Sequence, residues 1–187
     1  MIRVSTLVGR TLAAAAVAAA VAAPLAAQDG PLTPSKGDVV PAFETMRVDG
    51  RVEKVDFPKG SRTVLLFFTS GCPHCHKMIP EWNRIYEKQP RNLRILGIIL
   101  DQEPPSFWST MPVSFPVLRS PGREFLRALN VNRVPLTLRV ADGGKVEDLG
   151  LGEVCTGGAA GVAGASCLDA IRFGQLFAPG PAAAAKR

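Results

Sequence analysis

The sequence predicts an α/β fold in which a central mixed β-sheet is flanked by helices. Thr63–Thr69 and Leu93–Leu100 are predominantly apolar runs, typical of strands that are buried on both faces of a sheet. Between them, apolar residues recur at helical spacing from Cys72 to about Gln89. A buried strand, a helix and a second buried strand in succession are typical of α/β architecture.

A hairpin is predicted before these strands, and two short helices are predicted after them. Phe43–Phe57 holds two alternating segments around Asp49-Gly50, a dipeptide favoured in tight turns. Ser106–Met111 and Gly122–Leu129 have the pattern of short helices. We expect a Pro-rich turn between them.

The C-terminal part predicts a second hairpin and a closing helix. Leu136–Val140 and Lys145–Leu149 alternate around Asp142-Gly143-Gly144. Cys167–Phe177 is predicted as the last helix. This order of elements indicates the fold class and carries no information on chemistry.

The N-terminus has the three-part layout of a secretory signal peptide, residues 1–27. Two arginines and no acids precede Leu12–Ala23, a stretch of Leu, Val, Ala only, and small residues surround the expected cleavage point at Ala27. A helix of 12 residues spans about 18 Å, which is short for a hydrocarbon core of about 30 Å, so we favour cleavage over an uncleaved anchor. The mature chain is then one domain at 28–177 with a flexible Pro/Ala tail at 178–187.

Composition excludes two classes of protein. A hydrophobic fraction of 47% with 20% charged residues is the reverse of a disordered chain. The formal charge of +6 falls by two when Arg3 and Arg10 leave with the signal peptide, the other basic residues are scattered, and the chain has one Tyr. Nucleic-acid binding is therefore disfavoured.

The segment Ser70–His76, Ser-Gly-Cys-Pro-His-Cys-His, carries the chemical information. It directly follows a buried strand and opens a helix, so Cys72 lies at the helix N-terminus. Free backbone N–H groups and the helix dipole favour a thiolate there, and a protonated His74 would favour it further. Cys75 shares the apolar face of the helix with Met78, Ile79, Trp82, Ile85 and Tyr86. An exposed, activated cysteine beside a sheltered one is what thiol–disulfide exchange requires.

With these residues, the chain resembles the TlpA-like periplasmic proteins of the thioredoxin-like superfamily. The resemblance runs from about Pro41 through Leu149. It includes Phe67–Cys75, the helix with internal Pro80, and Arg133–Thr137, Arg-Val-Pro-Leu-Thr. The last segment resembles the cis-proline loop that faces the reactive cysteine in that family. The resemblance implies a thioredoxin-like fold for the domain at 28–177.

The resemblance also implies the roles of the site residues. Cys72 would form a mixed disulfide with a partner protein, and Cys75 would resolve it without any bound cofactor. The Pro73-His74 dipeptide would tune the pair. The backbone at Val134-Pro135 would bind the substrate peptide.

The resemblance implies that this protein is a monomeric, periplasmic thiol–disulfide oxidoreductase. It would act on protein thiols or disulfides, be recycled by a redox partner, and bind neither nucleic acid nor, after signal cleavage, the membrane. Cytochrome c maturation is the task that the resemblance suggests. The sequence leaves open whether the protein oxidises, reduces or isomerises.

Two features depart from the TlpA-like pattern. Those proteins often have a Glu three residues after the second cysteine, whereas this chain has Met78. The Pro73-His74 dipeptide resembles the DsbA oxidants, yet too few residues separate Cys75 from Pro135 for the inserted helical domain of DsbA. The scaffold resembles one group and the dipeptide another.

Two alternative functions remain open from the residues alone. Cys72–His76 also matches a Cys-x-x-Cys-His haem attachment pattern, for which the candidate axial ligands are Met46, Met78 and Met111. A metal site could use the two cysteines with His74 and His76, the only histidines of the chain. No second cluster completes that ligand set, and we expect no metal site.

Cys155 and Cys167 flank a Gly/Ala-rich segment with few side chains that could pack. In an exported protein such a pair is typical of a structural disulfide. The alternative is a second redox pair that relays electrons. We favour the structural disulfide.

Overall fold

A computed structural model of the protein describes residues 33–155 and 167–179. The predicted signal peptide at 1–27 lies outside the described residues, as do residues 180–187 of the predicted tail. The signal peptide, the domain bounds of 28–177 and the flexible tail therefore stay predictions. Within the described ranges, no helix is both long and apolar enough to cross a lipid bilayer.

The described residues form one five-stranded mixed sheet, one separate two-stranded sheet, four α-helices and one short 3-10 helix, Asp142–Gly144, between the last two strands. The elements in chain order are β1 Phe43–Met46, β2 Val52–Val55, β3 Arg62–Phe68, α1 Pro73–Glu87, β4 Leu93–Ile99, α2 Phe107–Thr110, β5 Val117–Arg119, α3 Arg123–Ala128, β6 Leu136–Val140, β7 Val146–Leu151 and α4 Ala170–Leu176. The large sheet has the order β5-β4-β3-β6-β7, and β1 pairs with β2. This architecture confirms the predicted α/β fold class.

Strand β3 lies in the middle of the sheet and is buried on both faces. It pairs in parallel with β4 and antiparallel with β6. Val64, Leu66 and Phe68 pack into the core on one face, which α1 and α4 cover. Leu65 and Phe67 pack into the core on the other face, beneath α3 and the β1–β2 hairpin. Because both faces are covered, the strand carries a continuous apolar run rather than an alternating one.

The structure adds a strand where we expected only a Pro-rich turn. Val117–Arg119 is β5, which pairs in parallel with β4 from Gly97 to Ile99. Three residues between Pro116 and Ser120 are too few to show a periodicity in the sequence. Their strand conformation comes from hydrogen bonding to β4, so the prediction of a turn alone was wrong here.

The C-terminal helix is shorter than predicted. It begins at Ala170, and the side chain of Asp169 caps it by accepting the N–H groups of Ile171 and Arg172. Leu168 instead forms a parallel β-bridge with Val154. Cys167 therefore precedes the helix and lies beside the end of the β7 segment.

The two cysteines at the start of α1 follow the carboxyl end of β3 in the sheet. Strands β3 and β4 run in parallel, so both carboxyl ends meet at one edge of the sheet. The segment after β3 leads directly into Cys72 and α1. Ligands and reactive groups of α/β proteins commonly lie at this edge, because the loops that follow parallel strands converge on it.

The turn between β6 and β7 packs against residues 33–42, the N-terminal lead-in that precedes β1. Gly143 and Gly144 both have positive φ, +68° and +83°. A Cβ on Gly143 would meet nothing within 4 Å, whereas one on Gly144 would overlap the carbonyl oxygen of Val40. The Val40 N–H also donates to the Gly144 carbonyl at 2.8 Å.

We therefore predict that Gly143→Ala costs roughly 1 kcal/mol of unfolding free energy, the cost of a left-handed conformation. Gly144→Ala should cost roughly 1–3 kcal/mol more, because the backbone of the lead-in must move. Urea unfolding of the two variants measures the difference. Equal losses would contradict the described packing of Val40.

Candidate active site

Cys72 caps the N-terminus of α1. Its backbone is extended, and its Sγ accepts the N–H of Cys75 at 3.3 Å. Pro73 occupies the first turn, where the missing backbone donor costs no helical hydrogen bond. The Cys72 side chain is half-buried. A sulfur in this position receives a backbone donor and the positive end of the helix dipole, both of which favour negative charge.

Cys75 lies one turn further along and is fully buried, at 0% exposure. It packs in the core with Met78, Ile79 and Trp82. Burial raises the pKa of the Cys75 thiol well above its ordinary value, and the hydrogen bond and charge of Cys72 raise it further. Cys75 is therefore held as a neutral thiol while Cys72 is the sulfur that a partner can reach. Both cysteines are free.

His74 lies between the two cysteines and faces a carboxylate that sequence reasoning missed. Its side chain is 61% exposed, and its Nδ1 lies 3.2 Å from Oε2 of Glu153. Lys77, one turn along α1, lies 3.1 Å from the same oxygen. Its hydrogen bond to Glu153, followed by that of His74, lowers the pKa of the Glu153 carboxyl. The His74 imidazole therefore shares its environment with a carboxylate that stays ionised.

The Val134-Pro135 segment lies across a cavity from His74. The peptide bond between the two residues is cis. Both residues line a cavity of about 320 Å³ together with His74, Glu153 and Cys167. No other described backbone group pairs with the Val134 N–H or carbonyl. The described structure thus leaves a backbone edge free beside the active-site helix.

Asp101 is a second carboxylate that the sequence analysis did not identify. It lies two residues after the end of β4, and its oxygens accept the N–H of Ser70 at 2.9 Å and the Ser70 hydroxyl at 2.6 Å. The His76 Nε2–H donates to the Ser70 carbonyl at 2.6 Å. These contacts hold the segment before Cys72 from both sides. A polar residue just after a parallel strand is the sequence signal that could have found Asp101.

Met78 occupies the position where TlpA-like proteins often carry a Glu. It is 1% exposed, and its sulfur accepts the N–H of Val154 at 3.3 Å. The position therefore contributes packing and a weak acceptor, and no titratable group. Met78 also holds Val154 close to α1, next to Glu153.

The geometry of the site does not favour the two alternative functions, covalent haem attachment and metal binding. Covalent haem attachment would need both sulfur atoms accessible, whereas Cys75 is buried in the core. Met78, one candidate axial ligand of the haem, is buried in the core as well. Among the described residues, no group of three or more His, Cys, Asp or Glu side chains is arranged to hold a metal ion.

Cys155 and Cys167 are joined by a disulfide bond, 12 residues apart in sequence. The backbones beside it are paired, since the Cys155 N–H donates to Leu168 at 2.9 Å and the Leu168 N–H donates to Glu153 at 2.7 Å. The bridge therefore lies directly beside Glu153. Its proximity to the active-site cavity could not be predicted from the sequence.

Comparisons with known proteins agree on the kind of protein. The family model Redoxin matches residues 35–163, more than half of the chain. The Sporulation thiol-disulfide oxidoreductase A of Bacillus subtilis (strain 168) is 25% identical over 126 residues, which are 63% of this chain and 75% of that protein.

Two solved structures share the fold. A candidate thiol:disulfide interchange protein DsbE of Chlorobium tepidum is 22% identical, with a TM-score of 0.56 over 78% of this chain and 100% of that one. The pneumococcal exposed lipoprotein thioredoxin of Streptococcus pneumoniae strain TIGR4 is 21% identical, with a TM-score of 0.54 over 62% of this chain and 92% of that one. The chain therefore belongs to the redoxin family, within the thioredoxin-like superfamily of thiol–disulfide oxidoreductases.

Proposed function

We propose that this protein exchanges disulfides with partner proteins through the pair Cys72 and Cys75. The observation that carries the proposal is the placement of the two sulfur atoms. Cys72 is accessible at a helix N-terminus. Cys75 is buried one turn further along the helix, and its backbone N–H donates to the Cys72 sulfur at 3.3 Å. One sulfur is therefore available to attack a partner, and the second is available to attack the first.

In the reducing direction, the Cys72 thiolate attacks one sulfur of a substrate disulfide. A mixed disulfide forms, and the other substrate sulfur leaves as a thiolate that takes up a proton. Cys75 then loses its proton and attacks the Cys72 sulfur, which releases the second substrate sulfur. Two electrons pass to the substrate, and Cys72–Cys75 becomes a disulfide. Oxidation of a substrate dithiol is the reverse sequence.

The mixed disulfide itself favours the second step. Burial is the largest cause of the raised Cys75 pKa, but the hydrogen bond to Cys72 and the Cys72 charge add to it. Once Cys72 is bonded to substrate it carries no charge, so these two contributions are lost. The Cys75 thiol then deprotonates more readily, although Met78 supplies no acid or base nearby.

The free backbone edge at Val134 supports a mode of substrate binding. An extended peptide can pair with an unpaired backbone edge by strand addition. Pro135 is buried at the base of this edge. We propose that the substrate lies along Val134-Pro135 with its sulfur towards Cys72.

The charged side chains around His74 support a reduction potential of the Cys72–Cys75 pair that is adjusted by nearby charges. A cation near Cys72 stabilises the thiolate of the reduced state and has no such partner in the disulfide state. A protonated His74 would therefore raise the reduction potential, whereas the Glu153 carboxylate would lower it. The two groups are 3.2 Å apart, so they oppose each other at short range.

We propose an exported, periplasmic location and a monomeric state, with cytochrome c maturation as a task. The first ten residues and the apolar stretch after them support export. The likeness to an exposed lipoprotein thioredoxin and to DsbE is consistent with a place outside the cytoplasm. A reporter fusion to residues 1–27 tests the export.

Cys155–Cys167 is proposed as a structural disulfide. It closes a Gly/Ala-rich segment with few packing side chains, and paired backbone flanks it at Leu168. Its neighbour Glu153 contacts His74 and Lys77. The bridge thus holds an active-site carboxylate in place.

We predict that Cys72→Ser abolishes exchange and that Cys75→Ser accumulates mixed disulfides with partner proteins. The reason is that only Cys72 is accessible, and only Cys75 can resolve the adduct. Non-reducing gels and mass spectrometry of the two variants measure this. Full turnover by Cys75→Ser, together with a Cys72 that resists alkylation, would reverse the assignment.

We predict opposite changes of reduction potential for His74→Ala and Glu153→Gln. Loss of the imidazole should lower the potential and loss of the carboxylate should raise it, each by on the order of 10–30 mV, where about 30 mV equals a factor of ten in the equilibrium constant. Equilibration with glutathione at pH 6 measures both. Glu81→Gln is the control, because it removes a carboxylate that pairs with Arg84 further along the same helix. Shifts of the same sign would contradict the charge arrangement.

We predict that Cys155→Ala/Cys167→Ala lowers the unfolding free energy by about 3 kcal/mol, from loop closure, and retains exchange at Cys72. In the unaltered protein, Cys155–Cys167 should stay oxidised after mild reduction opens the active-site pair. Mass spectrometry of alkylated thiols decides this. Reduction of both pairs in parallel would support the electron relay.

A further inference from the structure

Arg133 has an exposed side chain next to the Val134-Pro135 edge. Its side chain forms no ion pair and no hydrogen bond with any residue in the described ranges. Together with His74 and Glu153 it lines the cavity of about 320 Å³ beside the active-site helix. A guanidinium group in this place is available to a ligand.

The one carboxylate that lines the cavity is already engaged. Glu153 has its Oε1 3.2 Å from Lys77 Nζ, and its Oε2 3.1 Å from the same nitrogen and 3.2 Å from His74 Nδ1. Both oxygens thus face cations on α1. Arg133, which lines the same cavity, is left as a positive charge without a counter-ion among its described neighbours.

We propose that Arg133 selects protein substrates that carry Asp or Glu within two residues of the reactive cysteine. This inference rests on the proposed function, because it names the substrate class of the same site. Two residues of extended chain span about 7 Å, so such a carboxylate stays beside the loop when the sulfur faces Cys72. Guanidinium binds carboxylate with two parallel hydrogen bonds, which adds orientation to attraction.

The contact acts mainly on recognition. An exposed charge pair is screened by salt and contributes modestly. It steers the approach of a complementary partner and fixes its register on the surface. Arg133 is therefore a specificity-determining residue, while the exchange itself stays with Cys72 and Cys75.

The test uses two short peptides with a single cysteine, identical except for Asp or Asn beside it. Each is supplied as its mixed disulfide with 2-mercaptoethanol, a leaving group without a carboxylate. The enzyme form is Cys75→Ser, which captures the peptide on Cys72. Rates of capture are followed by mass spectrometry at low and high salt, and the measured quantity is the ratio of the Asp rate to the Asn rate.

We expect this ratio to be about two- to fivefold higher with Arg133 present than in Arg133→Gln, and to fall at high salt. Arg133→Glu should lower it further and should favour a matched peptide with Lys. Lys145→Gln, which removes an exposed cation at the other end of β6, should leave it unchanged.

Equal ratios with Arg133 present and in the Arg133→Gln variant would overturn the proposal, while capture of both peptides still supported disulfide exchange. A ratio that Lys145→Gln lowers as much as Arg133→Gln would overturn it too, since the effect would then be one of net charge. Failure of Cys72 to capture either peptide would instead overturn the proposed function, and this inference with it.

Discussion

The hydrogen bond from the Cys75 N–H to Cys72 Sγ is the contact on which the site depends. It exists because α1 begins at Pro73, directly after the segment that leaves β3. Strand β3 is buried on both faces, so its end cannot shift without disrupting two cores. The N-terminus of α1 is therefore held at the sheet edge, with one sulfur in the capping position and the other beneath it.

The segment between β3 and α1 is held by contacts from outside it. Asp101, two residues after the end of β4, accepts both donors of Ser70. His76, from the first turn of α1, donates to the Ser70 carbonyl. One contact belongs to the sheet and the other to the helix. Cys72 thus follows a residue that is fixed to both elements, which limits how far its sulfur can move during exchange.

The second disulfide and the active site are neighbours through Glu153. This residue lies two positions after the end of β7 and two positions before Cys155, and it contacts His74 and Lys77 on α1. Val154 is bound to the sulfur of Met78 between them. Met78 therefore stands where TlpA-like proteins often carry a glutamate in the core. Through its contact with Val154, it also helps to place the Glu153 carboxylate at the surface. His74, Lys77 and Glu153 thus form a charged cluster at the surface beside the N-terminus of α1.

Local sequence patterns were sufficient to predict the features that depend on contacts within one helix or one strand. The position of Cys72 at a helix N-terminus and of Cys75 on the buried face follows from helical periodicity within one segment. The buried character of β3 and β4 follows from their continuous apolar runs. The internal Pro80 did not end the helix, which continues to Glu87, as the phase of its apolar face predicted.

Only the tertiary structure decided which distant residues meet these elements. Glu153 is 79 residues from His74, and Asp101 is 31 residues from Ser70. Neither pairing leaves a periodicity in the sequence, because each depends on the strand order and on where the β7 segment ends. The same holds for β5, whose three residues become a strand only when β4 supplies its hydrogen-bonding partner. The two cysteines proposed to react could be predicted from the sequence. The charges around them could not, because electrostatic contacts depend on distances in space that the fold alone sets.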